Sequence, residues 1–207
     1  MKLSRTLATA LLGGALFLSS SAFAADTWSV DPAHSTAIFR VKHFGASWQY
    51  GRFNDISGTL VLDDADPSKS TIELTIKTDS VDTNNQKRDD HLKSPDFFNA
   101  AQYPTMTFKS TSVEVTGKES AKLYGDLTIR GVSKPAVLAV EFQGSAKSPW
   151  GTTNYGFNGT TKINREDWGL NWNAALESGG WLVGKEVQID IELELVQVAE
   201  PAATAAA

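Results

Sequence analysis

One segment near the C-terminus alternates apolar and polar side chains without a break. From Val187 to Leu195 every odd-numbered residue is valine, isoleucine or leucine, and every even-numbered residue is glutamine, aspartate or glutamate. Successive side chains of a strand point to opposite faces, so this period of two predicts a β-strand with one dry and one wet face. Such a strand needs partner strands and a core to cover its dry face, which makes the segment a strong constraint on the fold.

The same pattern recurs along most of the chain. It is clear from Ile72 to Thr78 and from Ala37 to His43, where Phe39 and Val41 share one face. Further predicted strands cover residues 59–62, 105–115, 123–130, 137–142 and 155–164. About eight short strands separated by turns are typical of an all-β sandwich or barrel. We therefore predict an antiparallel all-β domain over residues 26–198.

One stretch interrupts the strands, from Asn84 to Pro104. Residues 86–93 have the composition of one or two helical turns, which Ser94-Pro95 would end because the residue before proline resists the helical region. Phe97 and Phe98 follow directly, and two adjacent aromatic rings on an irregular segment must bury at least one ring. We expect this short helical insertion, around residues 86–98, to fold over an opening of the barrel.

The two ends of the chain have compositions of their own. Lys2 and Arg5 precede an apolar stretch over residues 7–18, and Ala22-Phe23-Ala24 supplies the small residues that a signal peptidase requires. The stretch is too short for a membrane-spanning helix, which needs about 20 residues. We predict a signal peptide over residues 1–24, cleavage after Ala24 and a periplasmic location. The alanine-rich residues 199–207 predict a disordered tail.

Composition excludes several classes of protein. The chain has no cysteine, so disulfides, thiol catalysis and cysteine-ligated metals are ruled out. Its net charge of -5 argues against a nucleic-acid partner. The three histidines have no metal-ligand spacing, and motifs for phosphate binding or a nucleophilic serine are missing. We expect no metal, no cofactor and no catalytic residue.

The sequence allows two interpretations for His34, for His43 and for one charged cluster that contains His91. His34, in the turn sequence DPAHS, either bonds to turn backbone or contacts a ligand head group. His43 shares a face with Phe39 and Val41, so it is either a core imidazole or the polar spot of a pocket. The run Arg88-Asp89-Asp90-His91 either binds an anion or metal, or starts a helix and forms local ion pairs. Paired with a histidine, Asp89 could also serve the acid-base chemistry of a hydrolase.

Five ordered motifs resemble the YceI-like, polyisoprenoid-binding family of secreted bacterial proteins. They are WSVDPAHSTAIFRVKHFG at 28–45, GRF at 51–53, DTNNQKRDDHLKSPDFFNAAQYPTMTFKST at 82–111, GDLTIRGVSKPAV at 125–137 and INREDWGL at 163–170. Together they span nearly the whole predicted domain, from residue 28 to about residue 196. In place of Trp168 many relatives carry Phe, and the segment SGGWLVG from Ser178 is a second local difference.

The resemblance implies an extended, eight-stranded, antiparallel lipocalin-like barrel whose lumen holds the isoprenoid chain of a polyprenyl or quinone-like lipid. Transport, storage or sequestration of this lipid is then the implied function, and a secreted hydrolase or a structural stress-response protein is the alternative. A homodimer is compatible with either. The expected ligand-binding residues are Phe39, Val41, His43, Phe53, Leu92, Phe97, Phe98, Phe108, Leu127, Ile129, Ile163 and Trp168. The expected head-group contacts are His34, Arg88, Asp89 and His91.

Overall fold

The computed structural model describes residues 26–177 and 179–198. The predicted signal peptide and the predicted tail, residues 199–207, lie outside these residues. The described chain consists of strands β1 (Asp26–Val30), β2 (Thr36–His43), β3 (Ser47–Phe53), β4 (Ile56–Leu62), β5 (Thr71–Lys77) and β6 (Val81–Asp82), helix α1 (Gln86–Lys93), and strands β7 (Thr105–Val115), β8 (Ser120–Ile129), β9 (Val132–Lys147), β10 (Thr153–Asn164) and β11 (Val183–Gln197). Short 3-10 turns lie at Pro67–Lys69, Thr78–Ser80 and Arg165–Trp168.

Eight of these strands close into an antiparallel barrel. Their order is β1, β4, β5, β7, β8, β9, β10 and β11, and β11 pairs back onto β1 through Val30 and Leu195. The prediction of an all-β, eight-stranded antiparallel barrel with one short helix is confirmed. Strands β1, β3 and β6 were not predicted, since β1 and β6 are short and β3 lacks a clean alternation.

Strand β11 is 15 residues long and pairs along one edge with two different strands in succession. The last residues of β11 pair with β1, whereas residues 183–192 pair with β2. Strand β2 continues into β3, and β3 pairs with β6. The wall is therefore extended at the end where β11 begins, and α1 lies next to this extension through its connection to β6.

The closure is held by fully buried side chains. Leu195 and Ile56 have no exposed surface, and Trp28 is 1% exposed with its ring stacked on Tyr155 at 3.9 Å between centroids. These residues belong to strands far apart in sequence. Burying apolar surface stabilises the fold by about 25 cal/mol per Å², so this cluster favours pairing of the first strand with the last.

Helix α1 begins and ends where the sequence predicts. Asn85 caps its first turn by accepting a hydrogen bond from the Arg88 amide at 3.1 Å, and Ser94 forms the C-cap before Pro95. Within residues 26–177 and 179–198, no helix has the length and apolar content needed to span a membrane.

Candidate functional site

An apolar cavity occupies the barrel lumen at the end nearest α1. Its volume open to water-sized molecules is about 140 Å³, roughly ten times what one water molecule needs. Ten of the twelve residues predicted to bind ligand line this cavity. They are Phe39, Val41, Phe53, Leu92, Phe97, Phe98, Phe108, Leu127, Ile129 and Ile163.

A second apolar cavity lies further along the lumen, toward the closure of β1 with β11. Its volume open to water-sized molecules is about 130 Å³. Leu74, Leu138 and Ile191 line both cavities, so these three side chains stand between them. Because β11 contributes Ile189 to the first cavity and Leu193 to the second, its apolar face runs along both. The alternation of the strands does not predict this division.

The cover of the lumen comes from α1 and the turn that follows it. The Phe98 amide donates to the Leu92 carbonyl at 3.0 Å, which folds the turn back over the helix. The Phe98 ring packs edge-on against Phe53, with 5.5 Å between centroids. Phe97 is buried and lies 5.3 Å from the Trp172 ring. The adjacent aromatic residues thus join the helical insertion to the barrel wall.

Gly51 makes room for an aromatic residue of the lumen. Phe39 and Gly51 are directly opposite on β2 and β3. A Cβ atom at Gly51 would lie 2.3 Å from Cζ of Phe39 and 2.7 Å from Cγ2 of Thr83. The missing side chain therefore determines where the Phe39 ring can lie.

Gly51→Ala is expected to lower the free energy of unfolding by about 1 to 2 kcal/mol, because the added methyl overpacks the Phe39 ring. Gly159→Ala is the matched control on another lumen-facing strand, where the nearest atom to a new Cβ is 3.6 Å away. Urea unfolding of both variants measures the difference. Equal stability of the two variants would mean that Phe39 relaxes without cost.

Two predicted ligand-binding residues are not among those lining the cavity. Trp168 is buried in the last 3-10 turn, and its Nε1 donates to the Leu127 carbonyl at 3.0 Å. His43 lies at the end of β2, with its ring 4.1 Å from that of Phe44. Trp168 holds the 3-10 turn against β8 and so supports the wall from outside the cavity.

Two of the residues predicted to contact a head group instead bind one threonine. Asp89 is buried and accepts hydrogen bonds from the Thr83 amide, at 2.9 Å, and from the Thr83 hydroxyl. Arg88 donates to the same hydroxyl at 2.8 Å and to the Thr83 carbonyl at 2.6 Å. These hydrogen bonds attach α1 to the segment that follows β6. Among the described residues, no ion pair includes Arg88 or Asp89.

His91 lies at the rim of the cover. Its Nε2 is 2.9 Å from Oδ2 of Asp96, and its ring packs edge-on against Phe97 and Trp172. In the described part of the chain, neither His91 nor His34 has a hydrogen bond to a serine or threonine hydroxyl, and His43 has no side-chain hydrogen bond. Among these described residues, no histidine is therefore positioned to activate a hydroxyl nucleophile.

His34 lies in the turn between β1 and β2, outside the lumen. Its Nδ1 is 2.8 Å from Oδ2 of Asp31 and 3.9 Å from Oε1 of Glu194. The hydrogen bond to Asp31, with the attraction of both carboxylates, raises the pKa of His34 above 6.5. The same bond lowers the pKa of Asp31. His34 therefore bonds within its turn as expected, but to the Asp31 side chain and not to turn backbone.

The His34 pair predicts a pH-dependent contribution to stability. A raised pKa means that this contribution is complete below the unfolded-state pKa of His34 and is lost as the pH rises through the folded-state pKa. Asp31→Asn keeps an oxygen for the turn but removes the charge, so we expect the His34 pKa to return toward 6.5. Titration of the imidazole by NMR checks both values. An unchanged pKa in the variant would contradict the assignment.

Fourteen residues that line the first cavity were not among the predicted ligand-binding residues, and Arg165 is the one of them with an ionisable side chain. Arg165 follows Thr161 and Ile163 at the same period of two, and all three line the first cavity. Arg165 is 4% exposed and donates from Nε to the Gly184 carbonyl at 2.9 Å. Strand β10 ends at Asn164, so its alternation did not determine where the Arg165 side chain points.

A closed antiparallel barrel with an apolar lumen under a helical cover defines a lipocalin-like protein, a class whose barrel is wide enough for one slim ligand. The chain belongs to the YceI-like family, because the model of the YceI-like domain matches residues 28–195. A UPF0312 protein of Pseudomonas paraeruginosa is 44% identical over 170 residues, which is 81% of this chain and 88% of that protein.

Solved structures agree with this assignment. A YceI protein of Campylobacter jejuni is 36% identical with a TM-score of 0.64, covering 77% of this chain and 90% of the other. BcnA of Burkholderia cenocepacia has a TM-score of 0.69 at 25% identity, covering 80% and 98%. A polyisoprenoid-binding domain from Saccharophagus degradans, at 19% identity and a TM-score of 0.58, covers 83% of this chain and 98% of that domain and shares the fold.

Proposed function

We propose that the lumen binds the isoprenoid chain of an amphiphilic lipid. The observation that carries the proposal is the first cavity, whose lining residues are apolar apart from two threonines and Arg165. The Saccharophagus degradans domain with the same fold is a polyisoprenoid-binding domain, which supports the same ligand class here.

The energetics favour a long apolar tail. Each buried CH₂ group contributes about 0.8 kcal/mol, whereas association costs roughly 4 to 15 kcal/mol. A tail of several isoprene units therefore exceeds this cost through burial alone. We infer that such a tail runs from the first cavity into the second, and that Leu74, Leu138 and Ile191 turn aside to let it pass.

The test is native mass spectrometry of the full chain purified without detergent, followed by solvent extraction of the sample. We expect a mass increment on the folded protein and an extracted lipid with an isoprenoid tail. Removal of the lipid and addition of a synthetic polyprenyl lipid should restore the increment at one molecule per chain. A protein that carries no lipid and takes up none would contradict the proposal.

We also propose that the protein acts after export, as a periplasmic carrier or store of this lipid. The support is the signal-peptide pattern that ends at Ala24. The intact mass of the protein from an osmotic-shock fraction is expected to equal that of a chain that begins at Ala25. A chain that keeps Met1 and stays with the membrane fraction would contradict export.

A binding role fits the site better than hydrolysis. Asp89 is committed to Thr83, and the pair of His91 with Asp96 lies against aromatic rings at the rim. Hydrolysis of a prenyl ester that stops on replacing His91 would reverse this conclusion.

A further inference from the structure

Two cations lie together on the outside of the hairpin formed by β2 and β3. Arg40 and Lys42 flank Val41, which lines the first cavity. Because successive side chains of a strand point to opposite faces, both cations point away from the lumen. Both lie over the ring of Trp48 on β3, with Cζ of Arg40 4.9 Å and Nζ of Lys42 4.4 Å from its centroid.

Neither cation forms an ion pair within residues 26–177 and 179–198. The side chain of Arg40 donates to neutral groups, at 2.8 Å to Oε1 of Gln188 and at 3.4 Å to the Tyr50 hydroxyl. The nearby carboxylates of β11 bond elsewhere, since Glu186 pairs with a lysine of β10 and Asp190 accepts from an asparagine of β10. Like charges repel each other, so this pair of cations favours an anion from outside the protein.

The turn at the tip of the hairpin adds exposed aromatic rings. Phe44 is 54% exposed at a φ of 54°, and its amide donates to the Leu182 carbonyl at 2.9 Å. This bond brings the neighbouring Trp181, also 54% exposed, next to the tip. Exposed apolar groups that are rimmed by polar ones mark sites of interaction. We call this set the hairpin surface: Arg40, Lys42, Phe44, Trp48 and Trp181.

The hairpin surface lies at the end of the barrel that holds the first cavity. Val183 lines this cavity and pairs with His43, the residue before Phe44. Trp150 is 89% exposed in the turn between β9 and β10, where β11 ends, and so lies at the opposite end. The two ends therefore both carry an exposed aromatic residue, but the stacked cations are at the end with the first cavity.

We infer that the hairpin surface docks on a bilayer that contains anionic lipids, with the first cavity facing the bilayer. Lysine and arginine are attracted to a negative membrane surface, and tryptophan rings favour the level of the head groups. Acidic residues outnumber basic ones by 24 to 19 over the chain. The same bilayer repels the rest of the protein, so docking has one orientation. The inference rests on the proposed function and adds the place where lipid enters and leaves the lumen.

Sedimentation with vesicles tests the inference. The wild-type protein is mixed with vesicles of phosphatidylcholine, or with vesicles of phosphatidylcholine and phosphatidylglycerol in equal parts. We expect binding to the anionic vesicles to be about tenfold tighter, because two basic side chains reach the charged surface. Raised salt should abolish the difference, since salt screens exposed charges. Equal sedimentation with both kinds of vesicle overturns the inference.

Two double variants with the same change of net charge locate the surface. Arg40→Gln with Lys42→Gln removes both cations, and affinity for the anionic vesicles is expected to fall about tenfold. The control is Lys118→Gln with Lys147→Gln, at two exposed lysines that form no ion pair within the described chain. It should bind as the wild type does. Equal binding by the two double variants overturns the inference. All samples have the same N-terminus, which therefore cannot account for a difference between them.

A second pair of variants compares the two ends of the barrel. Phe44→Asn removes the ring at the tip, and asparagine tolerates the left-handed backbone at this position. We expect a loss of affinity for the anionic vesicles. Trp150→Asn removes the more exposed ring at the other end and should bind as the wild type does. Weaker binding by Trp150→Asn with unchanged binding by Phe44→Asn would overturn the inference by placing the docking surface at the opposite end.

If the variant without Arg40 and Lys42 does not fold, NMR of the wild-type protein replaces it. Nanodiscs of the same anionic composition carry a paramagnetic head group, and the amide signals of Phe44 and Gly45 should broaden while that of Gly151 stays sharp. The absence of this difference overturns the inference. Failure of the proposed function is distinguishable, because a protein that takes up no lipid in native mass spectrometry contradicts that proposal while its sedimentation still measures docking.

Discussion

Val41→Glu is expected to give a folded protein that carries no lipid. Val41 lines the first cavity on β2, and its side chain is only partly buried. A carboxylate there can keep water in the lumen of the free protein, so the fold survives with a modestly lowered melting temperature. A hydrocarbon tail, however, would have to strip that water from an unpaired charge, which is severely unfavourable. We expect affinity to fall by at least about 100-fold, equivalent to about 2.7 kcal/mol.

The matched control is Val137→Glu, the same substitution at a residue that is 42% exposed on β9. It should leave both stability and copurifying lipid unchanged. Native mass spectrometry and thermal unfolding of the two variants measure the effects. Failure of Val41→Glu to fold would indicate a solid core at this level of the barrel. Lipid retained at wild-type stoichiometry would show that the ligand lies elsewhere.

Asp89→Ala is expected to destabilise the protein by about 2 to 3 kcal/mol. The substitution removes the acceptor for the buried amide and hydroxyl of Thr83, and a buried donor left unsatisfied costs about 1 to 3 kcal/mol. Arg88, which binds the same threonine, loses its neighbouring negative charge as well. For a domain of this size the melting temperature should fall by roughly 4 to 12 °C.

Asp90→Ala is the control for this prediction. Asp90 lies one residue further along α1, is exposed and binds only the side chain of Gln86 within the described chain, at 2.8 Å. Its removal changes the net charge equally and should alter stability by less than about 0.5 kcal/mol. Urea unfolding of both variants gives the comparison. Equal effects would mean that the contacts of Asp89 with Thr83 add nothing beyond the loss of a charge.

The lumen-facing residues were predictable where the alternation is unbroken. Phe39 and Val41 on β2, and Leu127 and Ile129 on β8, were assigned to the lumen from a period of two, and they line the first cavity. Trp168 was also predicted to bind ligand but is not among the residues that line this cavity, because β10 ends at Asn164 and a 3-10 turn begins. Beyond a strand end the period no longer determines which way a side chain points.

Charged residues were harder to place than apolar ones. The sequence around Asp89 was compatible with an anion site, a metal site or a local ion pair, since all three use the same residue types. The contacts with Thr83 arise from the fold of α1 against the segment after β6. Arg165 was not predicted to line the lumen, because an arginine is expected at the surface unless it is paired.

By itself the sequence determined the type of each long strand, the helical insertion and the face of each strand that avoids water. These properties depend on neighbours a few residues apart, so a local pattern is sufficient. Closure of β1 on β11, the division of the wall between β1 and β2, and the two cavities depend on residues far apart in the chain. Only the tertiary structure decided them. The same holds for Arg165, whose burial results from the segments that carry Leu170 and Gly184 folding over it.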